Sequence, residues 1–294
     1  MREKYESLPL ATLRDLAKAR HLKGVSTMKK ADIIELMLEE DEKDNTKAVR
    51  EEVKNEKSGT ADIEQLDSGI VANGILEVLP DGHGFIRCAN YLPGENDVYV
   101  SPSQIRRFNL KTGDIVEGNT RVKSPTEKFS ALLYLTKING MNPAEASKRG
   151  CFEDMTPIFP NERLHLEGPG SSAAMRIVDL ISPIGKGQRG MIVSPPKAGK
   201  TTLLKEVALS ILKNNPEMHI LILLIDERPE EVTDIREAIC GKNVEVIYST
   251  FDELPEHHKR VSEMVIERAK RLVEHKKDVT ILLDSITRLS RAYN

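Results

Sequence analysis

The sequence predicts a multidomain chain. It has a small N-terminal helical module, a small β-barrel, and an α/β domain built on a parallel sheet. Three observations predict this. Residues 8–38 space their apolar side chains for helices, and residues 70–150 carry short alternating apolar stretches between Gly, Pro, Asn and Asp. From about residue 175 onward, aliphatic runs alternate with glycine loops and amphipathic helical stretches. A length of 294 residues suits two or three domains.

In the first module (1–38), Leu10, Leu13, Leu16 and Ala17 form one apolar stripe, and Ile33, Ile34, Met37 and Leu38 form another. Gly24 and Ser26 lie between the stripes, so the segment reads as helix-turn-helix or three helices. Residues 39–69 are dense in both charges and poor in apolar residues, as a solvated linker would be. Residues 70–145 place Ile75-Leu76, Phe85-Ile86, Val98-Tyr99-Val100, Ile115-Val116 and Leu132 to Leu135 at the spacing of barrel strands. Residues 146–174 form a connector. In 175–294, Met191-Ile192-Val193 reads as a strand before a glycine loop, and the helix after the loop has Leu203, Leu204, Val207, Ala208 and Ile211 on one face. Strands follow at Ile220–Ile225, Val244–Ile247 and Val279–Leu283, with a long helix burying Val261, Met264, Val265, Leu272 and Val273.

Composition excludes several classes. With 43 Lys+Arg against 46 Asp+Glu, the net charge is −3, so a uniformly basic coat is ruled out while a local basic groove is not. The longest aliphatic run, Ile220–Ile225, is too short for a bilayer, and the first residues are charged with no apolar signal core. Cys88, Cys151 and Cys240 lie far apart, without metal-type spacing, which fits a reducing compartment. A cytoplasmic protein without a membrane partner is expected.

Ser194-Pro195-Pro196-Lys197-Ala198-Gly199-Lys200-Thr201-Thr202 sits between the expected strand and helix. This is the context of a phosphate-binding loop: backbone N–H groups wrap a phosphate, which a side chain at Gly199 would obstruct. Lys200 supplies a cation between the β- and γ-phosphates, and the Thr201 hydroxyl is a Mg²⁺ ligand. ATP and Mg²⁺ are therefore the expected cofactors. Ser194 stands where such loops usually begin with glycine. A second glycine cluster, Gly185-Lys186-Gly187-Gln188-Arg189-Gly190, reads equally as a turn or as a neighbour of the nucleotide.

Two aliphatic strands end in acids, one at Asp226-Glu227-Arg228 and the other at Asp284-Ser285. Ligands bind at such C-terminal strand tips. One carboxylate would hold Mg²⁺ through water and one would polarise the attacking water, and pattern alone does not assign the jobs. Glu227 has the better form for water activation and Asp284 the simpler form for metal. Arg228 could reach nucleotide or neutralise Glu231.

Half of the chain's six Phe and six Tyr residues fall between positions 70 and 140, interleaved with basic residues. In Asp81-Gly82-His83-Gly84-Phe85-Ile86-Arg87, Phe85 can stack on a base and Arg87 can meet a phosphate or base edge on the same strand face, with His83 at the other alternate position. Asp97-Val98-Tyr99 and Glu127-Lys128-Phe129 repeat an acid two residues before a ring, where the carboxylate can accept from a cytosine amino group. A barrel also needs rings inside it, but the whole constellation points to single-stranded nucleic acid.

The run Val98 to Leu110 resembles the cold-shock-type, OB-fold RNA-binding domain of the bacterial transcription termination factor Rho family. GKGQRG (185–190), PPKAGKTT (195–202), LLIDERPEEVTD (223–234), STFDE (249–253), VEHKKD (273–278) and LLDSITRLSRAYN (282–294) are similar to the same family. The resemblance covers nearly all of 70–294 and is much weaker in the N-terminal module. It implies a homohexameric ATP-dependent RNA helicase with RecA-like ATPase domains, which binds pyrimidine-rich, preferably C-rich, RNA and dislodges RNA polymerase. By the matching motifs, His83, Phe85, Arg87, Asp97, Tyr99, Glu127 and Phe129 line the RNA site. His83 replaces a frequent aromatic and Phe129 a tyrosine. Residues 185–190, Lys197 to Thr202 and Arg228 contact nucleotide, Glu227 activates water, and Asp284 serves Mg²⁺. The family continues past the position of Asn294, so on the order of 100 residues of the ATPase domain are expected to be missing. An RNA-binding fragment without catalysis, and a RecA-like ATPase without an RNA role, each keep part of this pattern.

Overall fold

The computed structural model of the chain describes residues 66–294 apart from Pro125 and Pro196, together with Lys30 and Ile33. Apart from Lys30 and Ile33, the helical module expected at 1–38 lies outside the described residues, as does nearly all of the linker expected at 39–69. The barrel consists of β1 (Asp67–Val78), β2 (Gly84–Arg87), β3 (Val98–Val100), α1 (Pro102–Arg107), β4 (Ile115–Arg121) and β5 (Ser130–Ile138). Its strands close in the order β1-β2-β3-β5-β4. Closure removes the free edges that an open five-stranded sheet would present. Strand alternation fills the interior with Leu76, Ile86, Val98, Val100, Val116, Leu132 and Ile138. Helix α1 starts sharply because Ser101 and Gln104 form a reciprocal capping box, with a proline in the first turn.

The chain continues through α2 (Pro143–Ala146), β6 (Arg163–Leu164), α3 (Ala173–Ile181), β7 (Ile184–Gly185), α4 (Lys200–Asn214), β8 (His219–Glu227), α5 (Pro229–Ala238), β9 (Val244–Thr250), α6 (Pro255–Glu274), β10 (Val279–Asp284) and α7 (Ile286–Tyr293). The sheet is parallel, ordered β10-β8-β9. Strand β8 is its centre, and both faces are covered. Ile220, Ile222 and Leu224 share a core with Val207, Ala208 and Ile211 of α4 and Val232 and Ile235 of α5. Leu221, Leu223 and Ile225 share another core with Val261, Met264, Val265 and Leu272 of α6. A strand buried on both sides must be apolar at every position, which explains the unbroken run from Ile220 to Ile225.

One expected strand is absent. Met191-Ile192-Val193 is irregular and exposed, with Met191 71% and Val193 84% accessible, and β10 is the outermost strand on that side. Its side chains stay largely exposed, so the segment buries too little apolar area to be ordered as a strand. No described element covers it.

The barrel and the α/β part share a core, since Ile75 of β1 and Tyr91 cluster with the α6-side residues of β8. Polar links reinforce the joint. The Asn90 amide exchanges hydrogen bonds with the Tyr248 backbone. Arg149 pairs with Asp114 of the barrel and Glu274 of α6, both carboxylates fully buried. Among the described residues, no helix is long and apolar enough to cross a membrane.

Candidate functional site

Two sites emerge, one on each part of the 67–294 unit. On the barrel, strand pairing sets Phe85 opposite Tyr99, and Glu77 opposite Phe85, in one cross-strand row. The rings of Phe85 and Tyr99 meet edge-to-face at 5.9 Å, and Phe85 and Phe129 at 5.2 Å. His83 lies 5.7 Å from both Phe85 and Tyr99. Lys128 stands 5.2 Å from the Phe129 ring centre. His83, Phe85, Tyr99 and Phe129 are only part-buried, so the edges and faces of this ring cluster remain open to a flat ligand.

Arg87 and Asp97 are placed differently from the sequence expectation. Arg87 is 7% exposed and Asp97 2%. Arg87 donates to Asp97 at 2.5 Å and to Glu77 at 2.7 Å, and its guanidinium lies 5.0 Å from the Phe85 ring centre. Asp97 also accepts from the Gly94 backbone. The pair thus forms a charged floor beneath the rings rather than free hooks. Glu127 accepts from the Ser124 backbone and from Arg121, and these bonds, the first above all, hold its carboxyl below the usual carboxylate range. Gly84, Ile86 and Val98 are buried in the barrel interior, so they support the ring face and do not line it. Strand alternation forces this, because each sits between two outward residues.

At the C-terminal tips of the parallel strands lies a cleft of about 650 Å³. Its walls include Lys197, Gly199, Lys200, Thr201, Thr202, Glu227 and Arg288. Gly199 caps α4 with φ +82°, a left-handed conformation that side chains resist, so the backbone turns directly into the helix N-terminus. Lys200 lies 2.5 Å from Asp284, and the Thr201 hydroxyl donates to the other oxygen of Asp284 at 2.9 Å. Asp284 is 1% exposed and lies beside these groups at the end of its strand. A hydroxyl and a carboxylate in contact beside a phosphate cradle are the hard oxygen donors that Mg²⁺ takes. The donor set therefore fits that ion.

Glu227 is 5% exposed, and Arg288 reaches it at 3.1 Å. Burial first, then a hydrogen bond with Glu231 and the nearby Asp284 charge, push its carboxyl up to about 7, against the pull of Arg288. A carboxyl poised near neutrality can accept a proton from water at working pH.

These geometries frame the comparisons with known proteins. Residues 72–144 match the family described as "Rho termination factor, RNA-binding domain", and residues 174–294 match "ATP synthase alpha/beta family, nucleotide-binding domain". The chain is 50% identical over 291 residues to the transcription termination factor Rho of Pseudomonas aeruginosa, with 97% of this chain and 64% of that protein covered. Over nearly its whole length the chain is similar to Rho. The Rho of Aquifex aeolicus is 46% identical over 297 residues, covering 100% of this chain and 63% of that one. The chain thus spans just under two thirds of the length of these Rho relatives. A solved structure titled "Structure of a unique ATP synthase subunit NeqB from Nanoarcheaum equitans" is 21% identical over 54% of this chain and 36% of that one, with a TM-score of 0.38.

Two sets of expected nucleotide contacts lie outside the cleft wall. The segment Gly185, Lys186, Gly187, Gln188, Arg189, Gly190 lies outside the cleft wall. Lys186 pairs with Glu162 and with Asp278, at the N-terminal end of β10, whereas Asp284 ends the same strand. A six-residue strand spans about 20 Å, so this turn sits at the opposite end of the sheet from the phosphate cradle. Arg228 is exposed at the start of α5 and is not in the wall, and neither is the exposed Ala198. Arg288, which the sequence reading passed over, is in the wall. Its signal was a basic residue four positions after Asp284 on the helix that follows. Lys205 and Asp234 also line the cleft and pair with each other.

Proposed function

We propose that the chain carries the RNA-capturing and ATP-hydrolysing parts of an ATP-dependent RNA translocase that ends transcription by drawing nascent RNA away from RNA polymerase. One observation carries this reading: an open ring cluster and a phosphate cradle occur in one unit, on two domains that share a core. Single-stranded, pyrimidine-rich RNA would stack on Phe85, Tyr99, Phe129 and His83, each stacked base contributing roughly 1–3 kcal/mol. C-rich stretches are favoured because a rearranged Asp97 or Glu127 can accept from the cytosine amino group.

ATP would lie in the cleft with its phosphates on the backbone N–H groups before α4 and on Lys200. Thr201 and Asp284 would hold Mg²⁺, which would draw charge off the phosphate oxygens. Glu227 would take the proton of the attacking water as the bond from the γ-phosphorus to its bridging oxygen breaks and ADP leaves. A homohexameric ring in the cytoplasm is the assembly that suits such a motor.

The test measures oligocytidine binding and RNA-stimulated ATP turnover. Phe85→Ala weakens oligocytidine binding by about tenfold or more, as loss of a stacked base requires. Lys200→Ala leaves that binding intact and abolishes stimulated turnover. Unchanged affinity in the first variant, or surviving turnover in the second, removes the corresponding site from the reading.

A further inference from the structure

Glu77 is the residue through which the two domains touch beneath the ring face. It stands on β1 directly opposite Phe85. Arg87 donates to its Oε2 through Nε at 2.7 Å and approaches it through a terminal nitrogen at 2.6 Å. From the other side, Arg260 of α6 donates to both Oε1 and Oε2, at 2.6 and 2.7 Å. The two partners are 183 residues apart in sequence. Glu77 is 14% exposed and Arg260 37%, while Arg87 and Asp97 are nearly closed off.

The charges balance. Arg87 and Arg260 carry two positive charges, and Glu77 and Asp97 carry two negative ones. Without Arg260 the cluster would hold one net negative charge at low exposure, directly beneath a surface meant for a polyanion. Glu263 and Glu267 line the same groove as Arg260, so no other wall residue supplies the missing positive charge. A poorly hydrated charge acts over a longer range than an exposed one, and repulsion of phosphate by this cluster would be felt at the rings. Geometry adds to charge: a carboxylate gripped at both oxygens cannot swing away from Arg87, and Arg87 in turn stays under Phe85.

We infer that Arg260, on the long helix of the nucleotide domain, is a positioning residue of the barrel's RNA site, acting through Glu77 to hold Arg87 beneath Phe85 and to keep that cluster neutral. The inference rests on the RNA reading above.

The test is anisotropy of labelled oligocytidine with the full chain at several salt concentrations. Arg260→Gln weakens binding about three- to tenfold at low salt, and the deficit shrinks as salt rises. Arg260→Lys stays within about twofold of the unaltered chain because the charge is kept. Glu77→Gln/Arg260→Gln restores neutrality and binds more tightly than Arg260→Gln alone. A merely structural role predicts the reverse, with the double variant at least as weak as the single one. Binding by Arg260→Gln that matches the unaltered chain, or a double variant no better than it, overturns the inference and leaves the RNA reading standing. Failure of the unaltered chain to bind oligocytidine removes the RNA reading, and this inference with it.

Discussion

In its proposed role, Glu227 answers to two opposed demands. A water-activating carboxylate must be charged at working pH, yet burial beside Glu231 and Asp284 favours its neutral form and lifts it to about 7. Arg288 limits that rise. ATP turnover therefore climbs with pH through a midpoint at about 7 and levels off about one unit higher, and Arg288→Met moves the midpoint upward because the opposing cation is gone. Glu227→Gln lowers turnover by about 10²- to 10⁴-fold and removes the slope. Stability responds with the opposite sign. The folded-state value lies above the ordinary 4.5, so the nucleotide-free protein loses stability as pH rises from about 4.5 to about 7. Thermal melts should show Glu227→Gln matching the unaltered protein near pH 4 and exceeding it at pH 8. A flat difference across that range would mean that Glu227 ionises as an ordinary carboxyl.

At the scale of elements, the turn between α1 and β4 shows how one backbone position fixes a domain contact. Gly113 has φ +94°, and a Cβ built there would lie 2.4 Å from the backbone carbon of Glu267 in α6. Gly113→Ala must both adopt a strained conformation and push α6 away, so it destabilises the protein by about 2 kcal/mol or more, read as a fall in melting temperature. A melting temperature unchanged within error would mean that α6 does not lie against this turn. Such contacts were illegible in the sequence, which marked only a glycine in a Thr-Gly-Asp turn. The barrel strands, β8 and α4 were legible because their signals are local: alternation along β2 and β3, six successive aliphatic residues in β8, and a 3.6-residue stripe from Leu204 to Ile211. The placement of Lys200, Thr201, Glu227 and Asp284 in one cleft was legible for a related reason, since each sits at a strand tip or helix start that sequence order alone defines. Met191–Val193 shows the limit. Its composition suits a strand, but pairing depends on what flanks it, and the segment stays exposed. Gly185–Gly190, read equally as a turn or as a neighbour of the nucleotide, lies far from the cradle because the chain between them runs along the sheet, a distance that nearness in sequence does not reveal. Arg87 was read as free because its partners, Glu77 and Asp97, each lie ten residues away and meet it only through cross-strand register.

Across the whole 67–294 unit, the barrel and the nucleotide domain are joined by buried charge as much as by apolar contact. Arg149 is the centre of that joint. It donates to Asp114 at 2.6 Å and lies 3.0 Å from Glu274, and both carboxylates are 0% exposed. Arg271 also reaches Glu274, at 2.9 Å, but nothing in that bond reaches Asp114 across the joint. The Asn139 amide donates to Asp114 at 2.7 Å and gives it no positive charge. Two domains that share a core and a buried ion network should unfold together, so far-ultraviolet circular dichroism and tyrosine fluorescence trace one coincident urea transition for this unit. Arg149→Met leaves Asp114 as a buried carboxylate without a cation, which costs about 3–5 kcal/mol. That loss falls on the joint rather than on either core. The variant is therefore expected to unfold at lower urea and to split the single transition in two, with the barrel and the nucleotide domain melting separately. Arg149→Lys should keep part of the stability, since it restores the charge without the two-sided grip of a guanidinium. Retention by Arg149→Met of one transition at the original midpoint would show that the apolar contact of Ile75 and Tyr91 with β8 and α6 suffices to hold the domains together.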